Sequence, residues 1–296
     1  MMATLPKPKL LRSWIALQEE FNTNTNSDRW DGWLFRGQIM EEQDRRLPSV
    51  RTSLERSMKR FGVPAKEARR LEWKLLRDFK RRCHLVSSYI PLDKNKMEWL
   101  ALFRHFGGPS RLSDWTYSVW AAVYFALDRA NVVKHDKDIC EVWALNARHC
   151  QKLAEARFPN VKKKLKQSGS NSLEEGNALF RITNKPGLWT MNAFHLNERL
   201  SIQQGAFLIP TDVTKPFTQN LLAVAPKNLD DTFLAIYRIS LNLEEVRKCL
   251  KGLHRMNLTR ATLYPGLEGL AQSLENAIGM PHLFHNVSGD LATGPF

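Results

Sequence analysis

Four groups of side chains carry the chemistry that this 296-residue sequence offers. Arg36 and Gly37 close a short aromatic and aliphatic run that begins at Trp33. A guanidinium fixed on a strand grips phosphate at two points, and a glycine beside it marks backbone that bends or approaches a ligand. Arg111, Asp114, Thr116 and Ser118 alternate with apolar residues and then meet an almost wholly apolar run, Val119 to about Arg129, which contains Tyr124. That pattern is a strand-to-helix corner, where sites are often built, with Asp114, Thr116 or Ser118 placed to cap the helix. Gln203 and Gln204 stand together late in the chain. Lys162, Lys163, Lys164 and Lys166 precede a turn-rich stretch, and the whole of Val161 to Gly176 reads as a mobile arm able to hold a polyanion, or as a merely solvated loop.

The elements that must hold these groups follow from periodicity. Leu10, Trp14, Leu17 and Phe21 keep helical spacing, as do Trp99, Leu102, Phe103 and Phe106 before Gly107-Gly108-Pro109. Pro48 to Phe61 and Pro64 to about Arg82 also read as helices, the second with Ala68, Leu71, Leu75 and Phe79 as its buried stripe. Trp33 to Arg36, Ile139 to Leu145, Leu179 to Thr183 and Leu234 to Leu241 read as strands. Glu198 to Pro210 alternates into an apolar run, so a strand there puts Arg199, Ser201 and Gln203 on one face and Leu200 and Ile202 on the other. Ala147 to about Ala156 is helical, Asn242 and Glu245 resemble a capping box opening a helix to about His254, and a last short helix runs through Ser273. With no internal repeat and no linker, these elements make one α+β domain with a mixed or antiparallel sheet flanked by helices.

A hydrophobic content of 43% supports a real core, and a net charge of +14 favours a phosphate-bearing partner. Cys83, Cys140, Cys150 and Cys249 form no C-x-x-C pair, so neither zinc nor a disulfide framework is expected; they read as free thiols. The N-terminus lacks the apolar core of a leader and no run spans a bilayer, which points to a cytoplasmic protein with no membrane partner.

Phe35-Arg36-Gly37, the block from His105 to Ala126, Asn197-Glu198-Arg199 with Gln203-Gln204-Gly205-Ala206-Phe207, and Leu263-Tyr264-Pro265-Gly266-Leu267 with Gly269-Leu270 resemble, in order and spacing, the FRG domain family. Ser110 and Ser113 depart from its more usual Thr and Leu. On this resemblance residues 30–275 are the FRG domain, 1–29 an N-terminal helix and loop, and 276–296 a tail.

The motif order is also similar to that of ADP-ribosyltransferases, which implies a fold of that type and NAD as substrate. By that analogy Arg36, Tyr124 and Gln203 are catalytic. Arg36, Gly37, Arg111, Asp114, Thr116, Ser118, Tyr124 and Gln204 bind NAD, with Arg36 on the pyrophosphate, Tyr124 or Tyr117 against nicotinamide, and a late glutamine on the ribose. A glutamine is no base, so Glu198, Asp114, His105 or His195 would take a proton. The acceptor implied is nucleic acid, RNA ahead of DNA, or a protein bound to it. The family resemblance further implies a toxin of a bacterial toxin-antitoxin or antiphage system, with an antitoxin as partner. A non-enzymatic module binding nucleic acid or nucleotide is the alternative. Residue by residue, Arg36 can instead pair with Asp114, Tyr124 can be core, the glutamines can be strand-edge residues, and His105 can be a helix C-terminal cap.

Overall fold

The computed structural model describes residues 4–22, 29–40, 47–128, 130, 140–168, 177–180, 182, 184–192 and 198–279. Its strands are β1 (Lys9–Leu11), β2 (Trp33–Ile39), β3 (Ser113–Thr116), β4 (Cys140–Asn146), β5 (Leu188–Met191), β6 (Gly205–Pro210) and β7 (Leu234–Ile239). They form one seven-stranded mixed sheet in the order β1-β7-β4-β2-β3-β6-β5, antiparallel except for the β1–β7 pair. The helices are α1 (Trp14–Phe21), α2 (Ser53–Arg60), α3 (Ala68–Cys83), α4 (Lys96–His105), α5 (Val119–Leu127), α6 (Ala147–Arg157), α7 (Pro159–Ser168), α8 (Glu198–Ile202), α9 (Phe217–Leu222), α10 (Leu243–Arg255), α11 (Arg260–Leu263), α12 (Leu267–Ser273) and α13 (Glu275–Gly279). The α+β class is as the sequence predicts, and among the described residues no helix is long and apolar enough to cross a membrane.

Alternation along the strands sorts their side chains into two buried layers. Trp33 and Phe35 of β2, Val142 and Ala144 of β4 and Tyr237 of β7 pack under α1, α5 and α10, while Leu34, Trp143, Leu145 and Ile236 pack on the opposite face with α6 and α9. A third cluster joins Trp189, Phe207 and Ile209 of β5 and β6 to α3 and α4. The sheet is nearly divided in its middle: β2 and β3 share a single residue pair, Phe35 with Thr116. Beyond that pair the two strands part, and the gap is the origin of the cleft described below.

Several local expectations change in the fold. Lys9–Leu11 is a strand beside β7, and the first helix begins only at Trp14, because Ser13 caps it by accepting from the Ala16 N–H at 3.1 Å. Likewise α2 starts at Ser53, after its Thr52 cap, and not at Pro48. On α3 the buried positions are Ala68, Glu72, Leu76 and Cys83, a stripe turned one residue from the expected one, so a glutamate faces inward. Residues 177–180 are helical where a strand was expected; Arg181 and Thr183 lie outside the described residues.

The segment from Val161 is no loop at its start but part of α7, which runs to Ser168. Glu198–Ile202 is a helix, and β6 begins only at Gly205. Ser118 caps α5 by accepting from Ala121 N at 3.2 Å, and Asn242 caps α10 by accepting from Glu245 N at 2.9 Å, but the expected capping box is only half made, because the Glu245 carboxylate accepts from Trp14 N at 2.8 Å. All four cysteines are buried free thiols, and among the described residues no three His, Cys, Asp or Glu side chains gather to hold a metal.

Candidate functional site

The cleft opens where β2 leaves β3. Its first lobe, of about 260 Å³, is lined by Phe35, Arg36 and Gly37 from β2 and by Asp114, Trp115 and Thr116 from β3. Ala101, Arg104 and His105, one face of α4 at i, i+3 and i+4, form a wall, and Arg199, Gln203, Phe125 and Tyr264 complete it. A second lobe, of about 490 Å³, adjoins it through Arg36, Gly37, Phe125 and Tyr264 and continues to Gln38, Ser49, Arg51, Arg56, Asp128 and Arg260.

Arg36 stands at the divide. Its Nη1 donates to the Asp114 carbonyl at 2.7 Å, bridging the gap between β2 and β3. It does not pair with the Asp114 carboxylate, which instead accepts from Arg104 through Nε at 3.0 Å and Nη2 at 2.5 Å. Among the described residues no carboxylate lies at ion-pair distance from Arg36, and its Nε is buried without a hydrogen-bond partner. Burial, with Arg56 and Arg104 nearby, lowers the Arg36 pKa to about 10 against the pull of Asp114. The guanidinium is therefore charged at neutral pH, and a desolvated cation in this state is strongly stabilised by an incoming anion.

Gln203 reaches the first lobe from the turn after α8, not from a strand face. Its amide donates to the Leu263 carbonyl at 2.8 Å, which aims the side-chain oxygen elsewhere as an acceptor, and its own carbonyl accepts from the Thr116 hydroxyl at 2.6 Å. Gln204 has a left-handed backbone, with φ of 48°, and serves through its carbonyl, which accepts from Tyr117 N at 3.0 Å; its side chain does not line the cleft. His105 does line it. Burial and Arg199 push its pKa below the ordinary histidine value, outweighing Asp114, so the imidazole is neutral at pH 7.

Tyr124, expected to be catalytic and to bind cofactor, is instead a core residue. It is buried within α5 and its hydroxyl donates to Asp128 at 2.7 Å, a consequence of α5 being apolar on nearly every side. Tyr264 is the tyrosine on the cleft, with the Arg199 and Arg260 guanidinium carbons 4.4 and 4.8 Å from its ring centre. Arg111 is not in the cleft either: it forms a fully buried ion pair with Glu72, the inward-facing residue of α3. Ser118 is spent as the α5 cap, and Tyr117 donates to Asn192 at 3.0 Å outside the cleft.

Gly37 has a different reason from the expected one. A Cβ there would stand 1.7 Å from the Ala122 carbonyl oxygen, so the glycine admits α5 onto β2. Lys162 pairs with Glu155 at 2.9 Å on the α6–α7 pair and Lys163 is exposed; of Lys164 and Lys166 only the helical backbone is described. None of the four lines the cleft. Glu198 contributes backbone alone to the description, and His195 lies outside the described residues.

Sequence reasoning gave no role to Arg104, Arg199, Phe125 or Tyr264. The signal was present in part, since Arg199 and Tyr264 lie inside the late motif blocks and Arg104 shares a helical face with His105.

Residues 31–135 match the family model of the FRG domain. The chain carries an FRG domain. The matched span runs from the start of β2 past α5 and holds Arg36, Gly37, Arg104, His105, Asp114, Thr116 and Phe125, while Arg199, Gln203 and Tyr264 close the cleft from beyond the matched residues. No curated protein and no solved structure matches the chain.

Proposed function

We propose that this FRG-domain protein cleaves NAD in the cleft and transfers the ADP-ribose to an acceptor nucleophile. The observation that carries the reading is Arg36, a desolvated cation at a sheet divide with no carboxylate of the described residues paired to it. A pyrophosphate is the anion suited to it, because a guanidinium holds phosphate oxygens two at a time. Phe125, Phe207 and Tyr264 supply aromatic walls for the rings at either end of a dinucleotide, and the two lobes together have the size of a small-molecule site, roughly 300–1,000 Å³.

In the reaction the bond between ribose C1′ and the nicotinamide nitrogen breaks, its electron pair leaving on nicotinamide. The acceptor's lone pair forms the new bond to C1′. Gln203 accepts a hydrogen bond from a ribose hydroxyl and so orients the sugar as positive charge develops. Neutral His105 is placed to take the acceptor's proton.

Incubation of the protein with NAD and measurement of released nicotinamide tests this. Turnover should fall to near background in Arg36→Lys with the melting temperature unchanged, and by roughly two to three powers of ten in Gln203→Ala, the usual cost of one preorganised group. Failure of the wild type to bind NAD would overturn the proposal. Binding without nicotinamide release would favour a second reading, a nucleotide-binding module. One observation supports that reading: Asp114, the carboxylate of the first lobe, is already committed to Arg104.

A further inference from the structure

We infer that this protein binds further copies of itself, the outward face of α12 and α13 on one copy seating on the loop between α3 and α4 of another. The contact does not rest on the NAD reading, and none of its residues lines either lobe of the cleft. Leu267, Leu270, Leu274 and Ile278 are 52–86% exposed and fall at i, i+3, i+7 and i+11, the spacing of one helix face. The face turned to the rest of the fold carries Gly269 and Ser273, both buried, and a Cβ on Gly269 would stand 1.7 Å from the Tyr264 carbonyl oxygen. A helix on a solvated surface has the opposite pattern, apolar inward and polar outward, so this stripe is built to be covered. Glu268 and Glu275, seven residues apart, edge the stripe on one side, and neither has an ion-pair partner among the described residues. None of the 44 Lys and Arg of the chain follows Arg260. An acidic apolar stripe on a chain of net charge +14 finds its complement on the basic remainder of the same chain.

The loop after α3 is that complement. Leu85, Val86, Ile90 and Leu92 are 43–88% exposed, yet the backbone that carries them is fixed. Ser87 N donates to the Cys83 carbonyl at 2.9 Å, the Ser87 hydroxyl to the Tyr89 carbonyl at 2.9 Å, and the Trp99 indole to the Leu92 carbonyl at 3.1 Å. Apolar side chains held on a set frame cost little further ordering when they bind. Arg81 and Arg82, in the last turn of α3, are exposed beside the loop. Asp78 and Asp93 nearby are engaged by Arg77 and Lys80, and among the described residues neither Arg81 nor Arg82 has an ion-pair partner. An anionic bilayer would accept this loop but repel the stripe. A second copy serves both at once: the leucines of the stripe meet the aliphatic loop, and Glu268 and Glu275 meet Arg81 and Arg82. Stripe on stripe, or loop on loop, would bring like charges together, so the contact is between unlike patches. Reciprocal contacts close a dimer, and contacts that do not close give a ring or a chain of copies.

The test is sedimentation velocity of the full chain, without NAD, across the micromolar range. The weight-average mass of the wild type should rise above that of one chain with concentration, and association should weaken as salt screens the charged rim. Arg81→Glu/Arg82→Glu and Glu268→Arg/Glu275→Arg should each associate roughly tenfold or more weakly, because like charges then face each other. An equal mixture of those two variants should associate as the wild type does, since each reversed patch meets its complement on the other variant. Leu267→Gln/Ile278→Gln, at the two most exposed positions of the stripe, should also weaken association roughly tenfold. Melting temperatures establish that the variants are folded; should either charge variant not be, the glutamine variant carries the test. A wild type that stays monomeric throughout the range overturns the inference, as does association that the charge reversals leave unchanged or that their mixture fails to restore. A monomeric wild type whose melting temperature falls in the glutamine variant would mean that the stripe is covered within its own chain, and overturns it too. Pelleting of a monomeric wild type with phosphatidylserine vesicles, lost in Arg81→Glu/Arg82→Glu, would assign the loop to a membrane surface and do the same.

Discussion

Arg111→Leu should destabilise the protein by about 3–5 kcal/mol, the cost of leaving one member of a buried ion pair without its partner. Both side chains of the Glu72–Arg111 pair are almost fully buried, at 3% and 4% exposure. Glu72 accepts from Arg111 Nε at 2.9 Å through each oxygen, from Nη2, and from the Arg111 backbone N–H at 3.1 Å, so leucine would leave a carboxylate in the core with one backbone donor. The stacking of Arg111 on Phe180, 4.7 Å from the ring centre, would go as well. In a thermal melt this is a drop of roughly 6–20 °C, at about 2–4 °C per kcal/mol for chains of this order of size.

The double variant Glu72→Met/Arg111→Leu is the informative control. It removes both charges, leaving the Arg111 N–H as the one orphan, and should cost only about 1–3 kcal/mol. Urea denaturation of wild type, the two single variants and the double variant closes a cycle whose coupling should exceed about 1 kcal/mol. An Arg111→Leu protein within 1 kcal/mol of wild type would refute the structural role. A stable Arg111→Leu protein that had lost NAD binding would reinstate Arg111 as a ligand residue.

Two further outcomes follow from the cleft. Gly37→Ala should lower stability by about 3 kcal/mol or more, because its Cβ would stand 1.7 Å from the Ala122 oxygen and 2.8 Å from Ala126 N, both backbone atoms of a buried helix; an unchanged melting temperature would contradict that close approach. For His105 the depressed pKa puts its protonation below 6.5, so nicotinamide release with an acceptor present should be flat near pH 7 and fall only below that value. The limb should vanish in His105→Gln, while one centred above 6.5 would exclude His105 as the base. The sign for stability is the same: the unfolded chain takes up this proton first, so stability from the buried neutral ring is present above pH 6.5 and is lost as pH falls through the folded pKa.

Local sequence decided those features whose causes are local. Phe35-Arg36-Gly37 lies on a strand because aromatic and aliphatic residues favour one, α5 is buried because it has no polar face, and Ser118 and Asn242 start helices because their short side chains reach the orphan N–H groups. The motif blocks also held Asp114, Thr116 and Gln203, which line the first lobe, and Arg36 and Gly37, which line both. Periodicity says which residues of one element share a face, but it does not say what lies across from that face. Arg36 and Arg111 are both arginines beside strands, and only the packing of α3 gave one of them a buried carboxylate and left the other facing a cleft. Tyr124 is core because α5 is buried between the sheet and its neighbours, its hydroxyl satisfied by Asp128, and Tyr264, far along the chain between α11 and α12, is the cleft's tyrosine. In Glu198–Ile202 a five-residue alternation fits strand and helix equally; the helix is the outcome in the fold, where Leu200 packs so closely on Gly205 that a Cβ there would meet its side chain at 2.7 Å. The divide between β2 and β3, which makes the cleft, is a property of register across some eighty residues of chain, and no window of sequence contains it.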